Sequence, residues 1–518
     1  MFQAAGRYLP ALPSGLRNAK FIRYEIPDTT LFALAGTTFN LLNGTTGPGL
    51  LALPLAFARC GWLMGSLLLL LTFVFNHVSL LYLLKACLAT REHSYIGLSV
   101  RTGKQIAALV DWASLIFFFG SCVSYLVIIG DTFNILTAAV GDVSGGEGSL
   151  YHGGIAMHFS FLALGMLVVF TVCCLLPLSM LRSMDSLQIT SGIAMICILY
   201  AIGVIVCVSP ATAGPDLPTD VSRASENGGS RERIATPAVT FSSETLLALP
   251  TMAFCFASQS LFPPALETLH QPATYHHLQS VVDVTMYLTF GLHLIVGLAG
   301  ALRYGDATAA NILDNLPPTT SVMVARLAIV LAFAFTFPMM IFLCRMHIQS
   351  IMARMDAAPQ QTDAPAPVAP REFHHRLVSA LLVGLSLLCG VLFPNIDAIF
   401  GLLGGTTAVV ISFIAPAVFW DEFVGYMYPW SHPRKLMSKA LIAFALVIAC
   451  LALPGLAIDI LGGLYATAWW VPMSSGVGLQ HWSGGIDTHA SIGVMTDDGQ
   501  VIVDAHAAKH LHHHSHGM

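Results

Sequence analysis

Charge is what this chain has least of. Asp, Glu, Lys and Arg make up 10% of its 518 residues, against about 25% in soluble domains. A chain so poor in charge does not stay dissolved as a monomer, so a soluble globular domain is excluded. The net charge of −5 leaves no basic face, so no nucleic-acid partner is expected. A secretory signal is also missing. Residues 1–29 carry Arg7, Arg17, Lys20 and Arg23 without an apolar run, so the first membrane helix is expected to direct insertion itself. Cysteines are present but unpaired in pattern. Ten of the eleven fall in apolar segments or at their ends, and Cys60 falls in the expected turn after the first helix. That excludes a disulfide framework and favours thiols acting as small apolar side chains. The spans hold no His-Glu-x-x-His, Gly-x-Ser-x-Gly or paired-Asp constellation, so an intramembrane enzyme is not expected.

What is abundant is apolar length. Hydrophobic residues make up 55% of the chain and its mean hydropathy is +0.73. A membrane span takes roughly 20 apolar residues. Such runs fall at about 30–58, 61–86, 107–139, 154–180, 186–208, 242–268, 280–301, 321–344, 374–394, 398–420 and 437–461. The expected organisation is a cytoplasmic segment over 1–29, a transmembrane domain over 30–462 and a polar, His-rich, disordered tail over 463–518. The longest connections are 209–241 and 345–373, the latter with a Gln-Thr-Asp-Ala-Pro-Ala-Pro stretch of disordered character. With the N-terminus inside, 16 of the 23 Lys and Arg residues collect on the cytoplasmic side, as membrane insertion favours. Trp469 and Trp470 suit the membrane interface. The run His510, His512, His513, His514 and His516 is either a metal-binding tract or a solvated tail without a role. Asn43-Gly44-Thr45 matches a glycosylation sequon, but it lies inside the first span, out of a glycosyltransferase's reach.

Two of the spans are interrupted. Asn43-Gly44-Thr45-Thr46-Gly47-Pro48-Gly49 breaks the first. Pro48 has no N–H, and glycine tolerates non-helical backbone. Ser258-Gln259-Ser260, followed by Pro263-Pro264, breaks the sixth. Irregular backbone at membrane depth survives only where it is buried in protein or lines a cavity. Two breaks five helices apart are the pattern of an all-α, five-plus-five inverted repeat whose site lies between the broken helices. The half-helix starting near Leu50 aims free N–H groups and a positive dipole end at the gap, which suits a carboxylate. Carbonyls freed around Phe254 to Ser258 suit an ammonium group or a cation. Neither break holds a charged side chain, so backbone atoms would recognise a small zwitterion.

Ionisable residues within spans are functional candidates or simply hydrogen-bond a neighbour. Those singled out are Asp131, His77 and His293, and a histidine there could relay a proton. Ser121 and Tyr125, one turn apart on the third span, are expected to face the cavity. Thr406 and Thr407 follow Gly404-Gly405, where either helix packing or binding is expected.

The segments Phe39-Asn40-Leu41-Leu42-Asn43, Gly47-Pro48-Gly49 and Leu53-Pro54 resemble the first helix of the amino acid/auxin permease family, most closely its sodium-coupled neutral amino acid transporters. The resemblance continues in order through Tyr125 to Asp131, Leu176-Pro177-Leu178-Ser179, Leu181-Arg182, Thr190-Ser191, Pro250 to Phe256, Thr336-Phe337-Pro338 and Gly401 to Thr407. It covers about residues 30–462. It implies eleven spans, a leucine-transporter-like fold and a cytoplasmic N-terminus. Pro48 stands where the family often has Ser or Ala, and loop 209–241 lacks the cysteines that animal members commonly bridge.

The implied activity is secondary active transport of amino acids, neutral ones foremost, coupled to sodium or protons by alternating access. Expected substrate contacts are Thr45, Thr46, Gly47, Gly49, Tyr125, Phe254, Phe256 and Ser258. The resemblance also assigns sodium ligation to Asn43 and Thr336, with carbonyls near Asn40 and Asn43. The alternatives are that Asn43 caps the broken helix and that Thr336 back-bonds to its own turn. No cofactor beyond a coupling Na+ and no obligate protein partner is implied. The membrane is the plasma membrane or a vacuolar or lysosomal one. A membrane amino-acid sensor of the same fold is the competing function, and the short N-terminal segment speaks against it. Paired breaks speak against a channel.

Overall fold

The computed structural model describes residues 29–143, 160–180, 188–208, 237–240, 245–267, 275–356, 372–468, 494–495 and 501–502. The expected cytoplasmic segment before Thr29 and the His-rich end after Ile502 lie outside the described residues, as does Leu181-Arg182. Contacts divide the chain at Gly463. The first unit is a helical bundle. The second contributes one described antiparallel pair, Val494–Met495 against Val501–Ile502.

Among the described residues, nine helices are long and apolar enough to cross a bilayer, and one bent pair makes a tenth. The bent pair is α1 (Thr29–Thr45) and α2 (Gly49–Cys60), which turn by 54° at their junction. The sixth expected span is likewise in pieces, α8 (Thr245–Cys255) and α9 (Phe262–Glu267), and completes eleven. The continuous helices are α3 (Trp62–Thr90), α5 (Lys104–Val143), α6 (Phe161–Ser179), α7 (Gln188–Cys207), α10 (Tyr275–Tyr304), α11 (Thr320–Asp356), α12 (Glu372–Leu392), α13 (Ile396–Phe423) and α14 (Pro433–Ala468). The eleven apolar runs thus appear in order, and the ends drift. Helix α11 passes its expected end at 344 by three turns. Its last turns stay helical because Arg345, His347 and Ser350 find partners on neighbouring helices. A short helix, α4 (Tyr95–Thr102), was not anticipated between spans two and three. Ser94 caps it by accepting from the Gly97 N–H at 3.2 Å, a standard start signal. Cys60 is not in a turn. It is the last residue of α2, fully buried, with its thiol on the Ala56 carbonyl.

Several helix ends find partners for their orphaned peptide groups. At the start of α3, the N–H groups of Trp62, Leu63 and Met64 reach the carbonyls of Pro237 and Ala238. Gly61, at φ +84°, makes that turn, and any Cβ there would lie 2.6 Å from the Pro237 oxygen. Two arginines, Arg345 buried and Arg303 half-buried, serve helix C-termini, where a cation complements the dipole. Arg303 donates to the carbonyls of Ile205, Val206 and Val208. Arg345 donates to the Ser179 carbonyl at 2.6 Å and to Ser379 Oγ at 2.7 Å. These charges therefore have a structural use.

Gly404-Gly405 is a packing device. A Cβ on Gly404 would sit 1.9 Å from the Pro250 oxygen, and one on Gly405 would sit 2.0 Å from Ala452 Cβ. Two π-helical turns, Gly404–Ala408 and Val410–Ile414, loosen α13 at this approach. All eleven cysteines are free. Five are buried, including Cys122, Cys255 and Cys344; four, including Cys173 and Cys450, are exposed.

Candidate functional site

The first break is short and fully accounted for. Helix α1 closes with the Thr46 N–H on the Leu42 carbonyl at 2.8 Å. Its last carbonyls are taken by hydroxyls: Thr45 Oγ1 donates toward Leu41 and Leu42, and Thr46 Oγ1 toward Leu42 at 2.6 Å. Pro48 then starts α2 at φ −64° with no N–H to offer. The N–H groups of Leu50 and Leu51 bond back to Gly47 and Pro48. Those of Gly47 and Gly49 take no partner among the described residues. They are the bare donors at the positive end of the α2 dipole.

The second break is pinned by amides. The Ala257 N–H returns to the Phe254 carbonyl, so that carbonyl is not free. The Ser258 N–H donates to Gln259 Oε1 at 3.0 Å, and Gln259 Nε2 donates to Asn76 Oδ1 at 2.9 Å. Asn76 in turn donates to the Thr72 carbonyl on its own helix.

The two breaks meet. A Cβ on Gly49 would lie 2.7 Å from Cys255 Sγ and 3.0 Å from the Phe254 ring. Between them is a cavity lined by Gly44, Thr45, Gly47, Pro48, Gly49, Phe117, Phe118, Ser121, Tyr125, Phe254, Cys255, Ala257, Leu261 and Met340. It measures about 20 Å³, on the scale where one water needs about 10–15 Å³. This is a closed conformation, and a larger occupant requires the Phe117 and Phe254 rings, 5.4 Å apart, to separate. No charged side chain lines the cavity.

Of the expected substrate contacts, Thr45, Gly47, Gly49, Tyr125 and Phe254 line this cavity, and Ser121 joins them. Thr46, Phe256 and Ser258 do not. Thr46 turns back on α1. Phe256 is fully buried between Phe73 and His293. Ser258 belongs to the amide pin. Phe117, Phe118, Leu261 and Met340 were not foreseen. Phe117, Phe118 and Ser121 lie within one turn of each other on α5, so the helical period counted back from Tyr125 would have pointed to them. Leu261 and Met340 gave no signal above ordinary core residues.

Asn43 and Thr336, 293 positions apart, come together. Asn43 Nδ2 donates to Thr336 Oγ1 at 3.2 Å, and Thr336 donates to its own Ala332 carbonyl at 2.9 Å. Asn43 Oδ1 lies 3.4 Å from the same hydroxyl. The back-bond of Thr336 is therefore present, while Asn43 reaches across to α11 rather than capping α1.

The singled-out ionisable residues all have partners. His77 Nε2 meets Asp283 Oδ1 at 2.7 Å. His293 Nδ1 meets the Thr289 carbonyl at 2.7 Å. Asp131 is partly buried and also engaged. The densest ionic cluster was missed. Asp111, fully buried on α5, holds His347 Nδ1 at 2.7 Å, Ser350 Oγ at 2.6 Å and the Arg354 guanidinium. Asp111 lies inside the third expected span and could have been found there; His347 and Arg354 lie beyond the expected end of the eighth. At the other end, Arg59 of α2 grips Asp397 of α13 with two parallel bonds, at 2.9 and 2.8 Å.

A bundle of eleven spans with two interrupted helices abutting at a buried cavity is the architecture of a secondary carrier. The chain belongs to the transmembrane amino acid transporter protein family, whose model matches residues 34–458. It is an integral, multi-pass membrane protein. Among its relatives, solute carrier family 38 member 10 of Homo sapiens is 25% identical over 409 residues, covering 79% of this chain and 33% of the relative. A putative sodium-coupled neutral amino acid transporter 10 of Xenopus laevis is 24% identical, covering 80% and 36%. The chain thus spans about a third of the length of these curated relatives. They are carriers rather than enzymes. A crystal structure of a manganese transporter mutant from Eremococcus coleocola superposes with TM-score 0.50 at 11% identity, over 87% of this chain and 92% of the other. That likeness concerns the fold alone.

Proposed function

We propose that this chain is a secondary active transporter of neutral amino acids, driven by a cation gradient through alternating access. One observation carries the reading: two interrupted helices abut at Gly49 and Phe254, and Gly47 and Gly49, whose peptide N–H groups take no partner among the described residues, line the cavity between them. A carboxylate fits the N–H groups of Gly47 and Gly49. Ser121 and the Tyr125 ring bound the far wall. A charged substrate side chain would enter a lining with no counter-charge, at heavy cost, which favours neutral substrates. The closed cavity represents an occluded state that must open to load.

Sodium is the coupling ion this reading favours, held by Asn43 Oδ1 and Thr336 Oγ1. Both are hard oxygens of the kind alkali cations take. The Lys and Arg bias supports a cytoplasmic N-terminus, and the plasma membrane and a vacuolar or lysosomal membrane are both compatible with it.

Uptake of a panel of labelled amino acids into reconstituted vesicles, under separate sodium and pH gradients, tests the reading. Gradient-driven accumulation of neutral amino acids is expected. If no amino acid moves under any gradient, the carrier reading is wrong. Thr336→Ala is expected to weaken sodium stimulation, and undiminished stimulation would remove the sodium assignment.

A further inference from the structure

His293 lies at the centre of the bundle on α10 and is fully buried. Its Nδ1 is 2.7 Å from the Thr289 carbonyl. A carbonyl only accepts, so Nδ1 carries the hydrogen. In the neutral ring Nε2 is then a bare lone pair, and Nε2 has no hydrogen-bond partner among the described residues. A buried acceptor left unmet is costly, and a core histidine retained only for packing would not need one.

Its surroundings join both breaks. The imidazole lies against the Phe256 ring of the second break, centroids 5.2 Å apart. Thr289, whose carbonyl it grips, places its hydroxyl 3.1 Å from Thr45 Oγ1, and Thr45 lines the cavity at the first break. One residue thus touches the second break directly and the first through two hydrogen bonds that share Thr289.

We propose that His293 is a proton-binding site of this carrier, loading a proton on Nε2 in step with substrate and in addition to the sodium that Asn43 and Thr336 would hold. Protonation forms one N–H bond, using a proton delivered by water when the breaks part. The imidazolium then lies beside the Phe256 π-face, which favours a cation. The same proton leaves when the bundle opens on the other side. The ring therefore has two states, and both breaks are placed to feel which one is occupied.

Other titratable groups on the packed elements are engaged elsewhere or lie well away along the helix. On α10, Tyr275, His276 and His277 lie more than about four turns before His293, and Tyr304 about three turns after it. Tyr287 packs on the His77 ring, and Cys197 of α7 is half-buried. Helices α1 and α7 carry no Asp, Glu, Lys, Arg or His, and Tyr200 of α7 reaches the Ser321 carbonyl. On α2, Arg59 holds Asp397, and the Cys60 thiol donates to Ala56. On α3, His77 holds Asp283, Tyr82 bonds the Arg434 carbonyl, Lys85 sits over the Tyr82 ring and Cys87 is buried. The second break adds only Cys255. On α10 itself, Asp283 is ten residues away, about 15 Å along the axis, and Arg303 is bound to α7. Asp306, just beyond α10, is exposed.

This proposal rests on the carrier reading, and its test separates the two. In vesicles of the full chain, a one-unit inward proton gradient can drive about tenfold accumulation through a one-proton carrier. His293→Gln is expected to abolish that accumulation while leaving exchange of the same amino acid at equal pH. Retention of proton-driven accumulation in the variant overturns the proposal. His293→Asn serves if the Gln variant does not fold. If the wild type moves no amino acid, the carrier reading fails on its own. The site is then read by ring-labelled histidine NMR, the wild-type spectrum minus that of the variant isolating one imidazole. A ring that titrates between pH 5 and pH 8 supports the site, and one that stays neutral throughout sinks it.

Discussion

The two breaks look alike as sequence and differ as structure. The first is left open: Gly47 and Gly49 line a cavity with N–H groups that take no partner among the described residues, and its threonines tie off only the end of α1. The second is closed by side chains, with Gln259 bridging the Ser258 N–H to Asn76 of α3. One break is built to meet a ligand and the other to be held by its neighbours. Unsatisfied backbone at membrane depth is tolerated only beside a cavity or a polar side chain, and the two breaks take one option each.

Pressing on the support of the second break should do most harm. Gly404→Ala puts a methyl 1.9 Å from the Pro250 oxygen. Backbone cannot yield as a side chain tip does, so α8 and α13 must part. A loss at the upper end of about 1–3 kcal/mol is expected for such overpacking, seen as a fall in thermal unfolding temperature in detergent. Gln259→Ala comes next. It strands the Ser258 N–H and the Asn76 amide, for about 1–3 kcal/mol. If unfolding temperature and uptake are both unchanged, the pin is not what holds this break. The open break should respond in affinity instead. Tyr125→Phe removes a hydroxyl facing Gly47, 3.5 Å from where a Cβ there would stand. A few-fold rise in KM at unchanged stability is expected, and a stability loss without a KM change would make Tyr125 a packing residue.

Much of the fold could be read from the chain because apolar length is a local property. Eleven runs of about 20 residues mark the spans wherever the chain later packs. Pro48 and Pro263-Pro264 mark both breaks because proline removes a donor in any context. Helix ends were less legible. The stretch from Arg345 to Asp356 reads as a polar loop, yet it continues α11, since Ser179, Ser379 and Asp111 receive its donors. The Asp111 cluster needs a partner 236 positions away, which no local pattern announces.

Composition and periodicity alone determined that this is a multi-pass helical protein with two interrupted spans, since the bilayer penalises any other arrangement of so apolar a chain. Only the folded bundle decided how the breaks are used. Which N–H stays bare, which carbonyl is capped and which rings close the cavity depend on contacts between helices hundreds of residues apart. Thr46 and Ser258 turned away from the cavity, and Phe117 and Met340 turned into it, because packing assigns a face to each side chain only once its neighbours are in place.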